Sequence, residues 1–580
     1  MGSRTMYAVL EETARTFGNS AALHQPTGKG NYRTYTWMEY KRAAEEIACG
    51  LRQLGIGKGD TVALHSETRA EFYLADLGIL TNGSIAAALY TTYPFPDQAK
   101  NVRASHAKAI FIEDAKSMRA LMDGAGPDPL TGLQWILLTG EAEHAITLEQ
   151  LRTTGRAALK KDPQAFAKIR AQVHAEDAAI LYLTSGATGE PKMGLVSHSA
   201  LTSNIDMGPQ VLPLTHADST IAFLPSAHIA QRVVIEFLPI RFGFPVWFSE
   251  GIAKLPHELK SIRPTFVLAP PRVWERIFAS VDTEVKKKSA AARKMFHGAV
   301  GLGAEVSRLR EEGKPVPKTM LALLRIADRL VFSKIRARLG GRIKVAASGA
   351  APLGKELARF YAAIGMPLIE GYGLTEGGVV CLNPVARPKS GSIGIRMPGV
   401  ELRLAEDGEL LVKSPTLFSG YPNDGEATQS VLRDGWLHTG DIAEFDTDGY
   451  VYITGRKKEL IVSSNGKKIY PARIELLFKS EPIINQVVLI GDRLPYVTAL
   501  VTVNAVEGAN AGEAEVKKAV ARVNRRLAPF EQIRKFRIIE REFSIETGEL
   551  TPTMKVRRNR VLENHREIVS ELYMGKEESQ

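Results

Sequence analysis

Cysteine is nearly absent. Cys49 and Cys381 are the only two in 580 residues, and neither has metal-ligand spacing around it. A disulfide framework is therefore excluded, and a reducing compartment fits. Long apolar runs are missing too: none approaches the ~20 residues that a membrane span requires. The opening residues Met1-Gly2-Ser3-Arg4-Thr5-Met6 hold no apolar signal core, and Met6 stands where a myristoylation site wants Ser or Thr. The expected address is the cytoplasm. Internal repeats and low-complexity stretches are also lacking, and at about 150 residues per domain the length predicts several domains rather than one core.

Charge is plentiful but uneven. The formal net charge is +11, and residues 281–342 hold fifteen Lys and Arg against six Asp and Glu. Lys286-Lys287-Lys288, Arg293-Lys294 and Lys334-Ile335-Arg336-Ala337-Arg338 sit among apolar residues in helical patterns. Such helices suit peripheral contact with an anionic inner membrane surface. A solvated helical face fits equally well. Nucleic acid is not expected as a partner, because no aromatic or Cys/His module accompanies the charge.

The apolar run Ala178-Ala179-Ile180-Leu181-Tyr182-Leu183 predicts a buried strand, and Ser197 to Asp206 a helix capped by Ser197. Between them lies Thr184-Ser185-Gly186-Ala187-Thr188-Gly189-Glu190-Pro191-Lys192, a loop placed where a strand hands over to a helix. Its glycines let backbone N–H groups turn onto an anion, Thr184, Ser185 and Thr188 add hydroxyl donors, and Lys192 adds a full charge. This is chemistry for holding a polyphosphate, although an ordinary exposed turn uses the same residue types. It is not the P-loop of kinases and ATPases, since no hydroxyl follows the lysine.

Helical and strand patterns alternate from Arg33 to Tyr93 and again after Val196, which predicts an α/β fold with doubly wound sheets. Trp37–Leu54 and Ala70–Leu80 read as helices; Thr61–His65 and Ser84–Leu89 read as strands. From Val400 to Thr454 the pattern becomes hairpin-like, a small β-barrel-like part with turns at Asp407-Gly408, Asp434-Gly435 and Asp448-Gly449. A boundary near Arg456 divides a large N-terminal domain, 1–456, from a small α+β C-terminal domain, 457–580.

Further motifs follow in order. Ser348-Gly349-Ala350-Ala351-Pro352 comes after the strand Ile343–Ala347, with Pro352 suited to a first helical turn; its small residues admit a flat group or simply make a turn. Glu370-Gly371-Tyr372-Gly373-Leu374-Thr375-Glu376 follows a short apolar strand. Tyr372 offers a stacking face, Thr375 a hydroxyl and Glu376 a hard oxygen suited to Mg²⁺, though any surface carboxylate has that oxygen. Thr439-Gly440-Asp441 puts a carboxylate at a tight turn, where it is able to accept both hydroxyls of a ribose. Gly455-Arg456-Lys457-Lys458 follows a strand, Gly466 lies in a glycine turn, and Lys555 sits in a proline-marked loop.

Taken together these segments resemble the adenylate-forming superfamily, which comprises acyl-CoA synthetases, adenylation domains and luciferases, over about Arg33 to Arg558. Within it the chain is similar to long-chain fatty acyl-CoA synthetases. Leu224-Pro225-Ser226-Ala227-His228, the stretch from Arg263 to Pro271-Arg272-Val273-Trp274-Glu275, and the basic insertion 281–342 carry that likeness. The resemblance implies an ATP-dependent ligase of fatty acids with ATP, Mg²⁺ and coenzyme A, built from a large domain and a mobile small one. It implies that Thr184, Ser185, Gly186, Thr188, Gly189 and Lys192 cradle the phosphates. Gly349, Ala350 and Ala351 with Glu370, Gly371, Tyr372 and Gly373 would enclose adenine, and Asp441 and Arg456 would bind ribose. Thr375 would touch the α-phosphate, Glu376 and Thr184 would hold Mg²⁺, and His228 would lie beside the acyl pocket. Lys555 matches the adenylation lysine, Lys458 the hinge, and Gly466 the loop presented for the thioester step.

Three positions depart from the family pattern: Ala187 where Thr or Ser is usual, Met193 where glycine is common, and Arg473 where many members have Glu. The motifs are shared by acyl-AMP ligases that pass the adenylate to a carrier protein, so that reading stays open. An aryl or short-chain acid ligase fits the basic insertion less well. From another class, a non-catalytic nucleotide-binding membrane scaffold is disfavoured by the intact Lys555, Glu376 and Asp441.

Overall fold

The computed structural model describes residues 3–185, 191–464, 466–504, 511–551 and 554–574. Two wide sheets and a smaller one build the large domain. The first has seven strands in the order Ala145–Thr147, Gln134–Leu137, Ala109–Ile112, Thr61–His65, Ile85–Ala88, Ala178–Ser185, Pro191–Ser197. Its pairings are parallel except the last, which is an antiparallel hairpin. The second has nine strands, with a parallel centre running Leu368–Leu374, Val345–Ser348, Phe266–Ala269, Thr220–Ala222, Val246–Phe248, Ala21–Gly28. Parallel strands need crossover helices that cover both faces.

Those helices start where local chemistry says they should. Trp37–Gln53 begins at a capping box: the Thr36 hydroxyl accepts from Glu39 N at 3.1 Å, and Glu39 Oε2 accepts from Thr36 N at 2.7 Å. The helix Ala70–Asn82 is buried at every residue but Glu71, so it reads apolar all round rather than amphipathic. Its Gly78 admits the helix Trp37–Gln53, since a Cβ there would lie 2.3 Å from Ile47 Cγ2. Its Asp76 is fully buried and paired bidentately with an equally buried Arg232. Burial, then the Asp76 carboxylate, pushes the pKa of nearby Glu236 well above the usual carboxylate range.

Leu64 and Phe111 of the first sheet, Phe248 and Ile369 of the second, and Val412 and Leu437 of the third share one hydrophobic cluster. That third sheet is five-stranded and antiparallel, built from Glu401–Leu404, Glu409–Lys413, Leu432–Arg433, Trp436–Phe445 and Val451–Arg456. Its Asp434-Gly435 turn has φ of +52° and +76°, the type I′ geometry that an Asp-Gly pair favours. The small C-terminal domain has its own interior. Ile469, Ile474, Leu489 and Val516 fill one side of the sheet Ile484–Ile490, Val497–Val503, Ile533–Ile538, and Val488, Leu500, Phe543 and Val561 fill the other.

Four sequence expectations need correction. The loop after Leu183 does not hand over to a helix: residues 191–197 return as a strand against 178–185, and the helix His198–Val211 starts only then, capped by Ser197 as predicted. The apolar and β-branched residues Leu195 and Val196 were the sign of that strand. Glu370 to Gly373 lie on the strand Leu368–Leu374 rather than after it, and Asp441 lies within the strand Trp436–Phe445 rather than at a turn. Pro352 precedes its helix, which runs Lys355–Ala363. The basic segment is helical, with Pro271–Lys286, Ala290–Glu311, Lys318–Ala327 and Ser333–Ala337. No helix among the described residues is long and apolar enough to cross a membrane.

Candidate active site

The hairpin sets the first edge of a cleft. Its strands pair Thr184 with Lys192, so both ends of the glycine loop leave from one register position. Gly186, Ala187, Thr188 and Gly189 lie outside the described residues, as do the side chains of Thr184 and Ser185. The Lys192 ammonium sits 5.2 Å from the centre of the Tyr421 ring, and the Tyr421 hydroxyl donates to Glu376 Oε1 at 2.7 Å. A Cβ on Gly194 would lie 3.7 Å from Thr375 Cγ2. Lys192, Thr375, Glu376 and Tyr421 are therefore one neighbourhood. Tyr421 was missed from the sequence. Its only signal was the short Phe418-Ser419-Gly420-Tyr421 run, which folds back so that Leu195 and Gly420 form a bridge.

The two small-residue motifs come together because their strands are parallel neighbours, pairing Ser348 with Glu370. A Cβ on Gly349 would meet Gly371 O at 3.5 Å, and Ala350 takes a left-handed φ of +68°. The Glu370 carboxylate accepts from Leu353 N at 3.0 Å, which ties the 349–353 loop down. Burial pushes Glu370 up to about 8, against that hydrogen bond.

Asp441 is the best-held group in the cleft. It pairs across the ladder with Arg456, whose Nε donates to Asp441 Oδ1 at 2.8 Å, while the Tyr372 hydroxyl donates to Oδ2 at 2.5 Å. Each carboxylate oxygen has a second lone pair, so acceptance from two further hydroxyls stays open. The Tyr372 hydroxyl is pushed well up by burial and by the Asp441 charge.

The small domain brings Lys555 into this cleft. Crowding by protein, then the Arg456 guanidinium, lowers its pKa, while Asp441, Glu459 and Glu376 pull the other way. The residue nevertheless keeps surface open to water, as a lysine in a cleft rather than in a core does. His228 lies within reach of the same charge: burial, then Lys555, lowers it to about 4. Its Nδ1 accepts from Ala230 N at 3.1 Å, which leaves the neutral ring's proton on Nε2. Lys458 is exposed on the short 3₁₀ turn Lys457–Glu459. Gly466, with φ +72°, is not brought to the cleft; its turn rests on the small domain, with Lys467 over the Phe530 ring at 5.9 Å. Arg473, where Glu was usual, finds Glu531 instead, and Glu475 accepts from Arg558 at 2.6 Å.

The donor set suits a hard cation held largely by its ligands. Among the described residues no group of three His, Cys, Asp or Glu side chains placed to hold a metal occurs, and Glu376 is the carboxylate that Tyr421 links to Lys192. One carboxylate completed by phosphate and water oxygens is how Mg²⁺ usually binds.

The chain belongs to the AMP-binding enzyme family. That family's model matches residues 10–422, and a model described as the AMP-binding enzyme C-terminal domain matches residues 458–577. Long-chain-fatty-acid–CoA ligase FadD15 of Mycobacterium bovis is 34% identical over 576 residues, covering 95% of this chain and 94% of that protein. Long-chain-fatty-acid–CoA ligase ACSBG2 of Rattus norvegicus is 27% identical over 629 residues, covering 98% and 93%. The crystal structure of the anthranilate CoA ligase AuaEII in complex with anthranoyl-AMP superimposes with a TM-score of 0.76 at 20% identity, covering 99% of each chain, which establishes the shared fold.

Proposed function

We propose that this protein is an AMP-forming ligase that activates a long-chain fatty acid with ATP and transfers it to coenzyme A. The observation that carries this reading is that Lys555 of the small domain lies within electrostatic reach of Arg456, Asp441 and Glu376 of the large one. The names of the full-length relatives support the same substrate class.

In the first step the fatty carboxylate attacks the α-phosphorus of ATP and pyrophosphate leaves. Chemistry of this kind is mostly positioning and charge stabilisation. The Lys192 end of the glycine loop faces the phosphates, Gly349 to Ala351 and Glu370 to Gly373 enclose adenine, and Asp441 with Arg456 takes the ribose. Thr375 meets the α-phosphate. Lys555 stands over the attacking and leaving oxygens, where negative charge accumulates. His228, neutral at physiological pH, lines the acyl end. Thr184 and Glu376 would hold Mg²⁺, which when bound supplies charge neutralisation on the phosphates. The domain boundary falls at Arg456/Lys457. In the second step the small domain turns about Lys458, Lys555 withdraws and the Gly466 turn replaces it. The CoA thiolate then attacks the acyl carbonyl, AMP leaves, and a thioester forms. Mass spectrometry of products from MgATP, CoA and a ladder of acids tests this. Long-chain acyl-CoA with AMP is the expected result; acyl-AMP without thioester would favour delivery to a carrier protein, and no AMP from any acid would overturn the reading.

The basic segment adds a peripheral contact with an anionic membrane surface. Leu323, Ile326 and Leu330, spaced three and seven residues along one helical run, are 54%, 56% and 47% exposed. Exposed Lys318, Arg325, Arg329 and Lys334 surround them. An apolar stripe edged by cations fits an anionic bilayer better than bulk water. Co-sedimentation with anionic against zwitterionic vesicles at two salt concentrations tests it, and absence of salt-sensitive binding would return the segment to a solvated face.

A further inference from the structure

The stretch Pro271-Arg272-Val273-Trp274-Glu275 has no part in the chemistry above, yet it is where the large domain grips the small one. Arg272 opens the helix Pro271–Lys286 and reaches across the domain boundary. Its guanidinium donates to Asn485 Oδ1 through Nη2 and to Asn485 O through Nη1 at 3.3 Å. Asn485 is at a β-bulge. The ladder between Ile484–Ile490 and Val497–Val503 pairs Ile484 with Val503 and Gln486 with Thr502, which skips Asn485. A bulge leaves one residue without ladder partners and re-aims its groups; here both the freed carbonyl and the side-chain oxygen meet one arginine. Asn485 is buried at 4% exposure, whereas the Arg272 side chain is half-buried, so the contact is shielded on the small-domain side. Two weaker pairs flank it, Glu275 with Lys479 at 3.4 Å and Glu356 with Arg526 at 3.3 Å. They lie on the surface, where ion pairs contribute little.

We infer that Arg272, seated in the Asn485 bulge, is a positioning residue that holds the small domain in the orientation that places Lys555 in the cleft. This rests on the two-step reading of the ligase. The guanidinium touches no reacting group; it acts on the population of the closed orientation. A contact made in one of two orientations shifts their ratio by its full free energy. The two half-reactions need different orientations, so changing the grip moves their rates in opposite directions. That is the signature a merely structural role lacks.

The test measures the half-reactions separately: pyrophosphate release from acid and MgATP, and thioester formation from supplied acyl-AMP and CoA. Arg272→Ala is expected to slow the first about tenfold or more, the factor a charge-assisted hydrogen bond is worth, with the second unchanged or faster. Asn485→Asp converts the grip to an arginine–carboxylate pair, which is stronger. It is expected to keep the first step and slow the second. In Arg272→Ala/Asn485→Asp the slowing of the second step should vanish. Independently of any reaction, dyes on the exposed positions Ser430→Cys and Glu567→Cys report the interdomain distance by energy transfer, since Cys49 and Cys381 are buried. Arg272→Ala should broaden that distance distribution and Asn485→Asp narrow it. Equal loss of both half-reactions in Arg272→Ala with an unchanged distance distribution would overturn the inference. Shifted distances in an enzyme that forms no acyl-CoA would leave the grip standing and remove the proposed reaction instead.

Discussion

Asp441 and Lys555 face one cleft but are held there in opposite ways. Asp441 is fixed inside a strand, 2% exposed, with Arg456 across the ladder and Tyr372 on its other oxygen. Lys555 sits on a tight loop of another domain. Its own N–H donates to the Thr551 hydroxyl at 3.0 Å, Met554 before it takes φ +63°, and what places the ammonium is the docking of a whole domain. A group built into a sheet serves whenever the fold exists. A group carried on a separate body serves only in one orientation. On the proposed reading, the difference teaches how one cleft would run two steps: the constant groups would bind the nucleotide, and the removable one would belong to the step that must be switched off.

The sharpest way to break this comparison is Lys555→Ala. Adenylate formation should fall by about 10²–10³, the cost of losing a donor at developing charge, while thioester formation from supplied acyl-AMP is spared. Equal loss of both would make Lys555 another constant group. Asp441→Asn attacks the other side. It leaves Arg456 without its anion and should raise KM for ATP about tenfold or more, in the pyrophosphate-releasing step above all, with the small domain's orientation untouched. An unchanged KM would remove Asp441 from the nucleotide site. Lys458→Pro stiffens the connection between the domains and should slow CoA transfer more than adenylation, severalfold on the scale of gating effects; unaltered CoA transfer would move the hinge elsewhere.

The smallest effect is on stability. Glu370 is held up to about 8 from an ordinary 4.5. Between those values the folded protein keeps a proton that the unfolded chain has released, so this group lowers stability as pH rises through the window. Glu370→Gln should flatten the fall in Tm between about pH 5 and about pH 8. A slope identical to that of the parent would mean that the carboxyl ionises normally within the fold.

Much of this was legible in the chain itself, and the exceptions share one cause. Thr61–His65 is read as a strand and found as a strand. The Asp-Gly turns and the Ser197 cap also read true, because each depends on residues only a few positions apart. The reading failed where a partner lay far away. Residues 191–197 contain glycine, proline and lysine, and become a strand because 178–185 lies beside them. Asp441 looks like a turn residue beside Gly440, and is a strand residue because Val451–Arg456 pairs with it. Tyr421 gained meaning only when Glu376, 45 positions earlier, met its hydroxyl.

The sequence by itself determined the order of the motifs, the α/β alternation, the class of ligand that glycine, hydroxyl and lysine residues can hold, and the separate small domain. These follow from composition and short-range periodicity. The tertiary structure alone decided that Asn485 is a bulge and that Arg272, 213 positions away, fills it. It also decided that Lys555 comes within electrostatic reach of Arg456 and Asp441, about a hundred positions earlier in the chain. A contact between distant residues costs loop-closure entropy that no local pattern records, so only the packed fold shows which of them repay it.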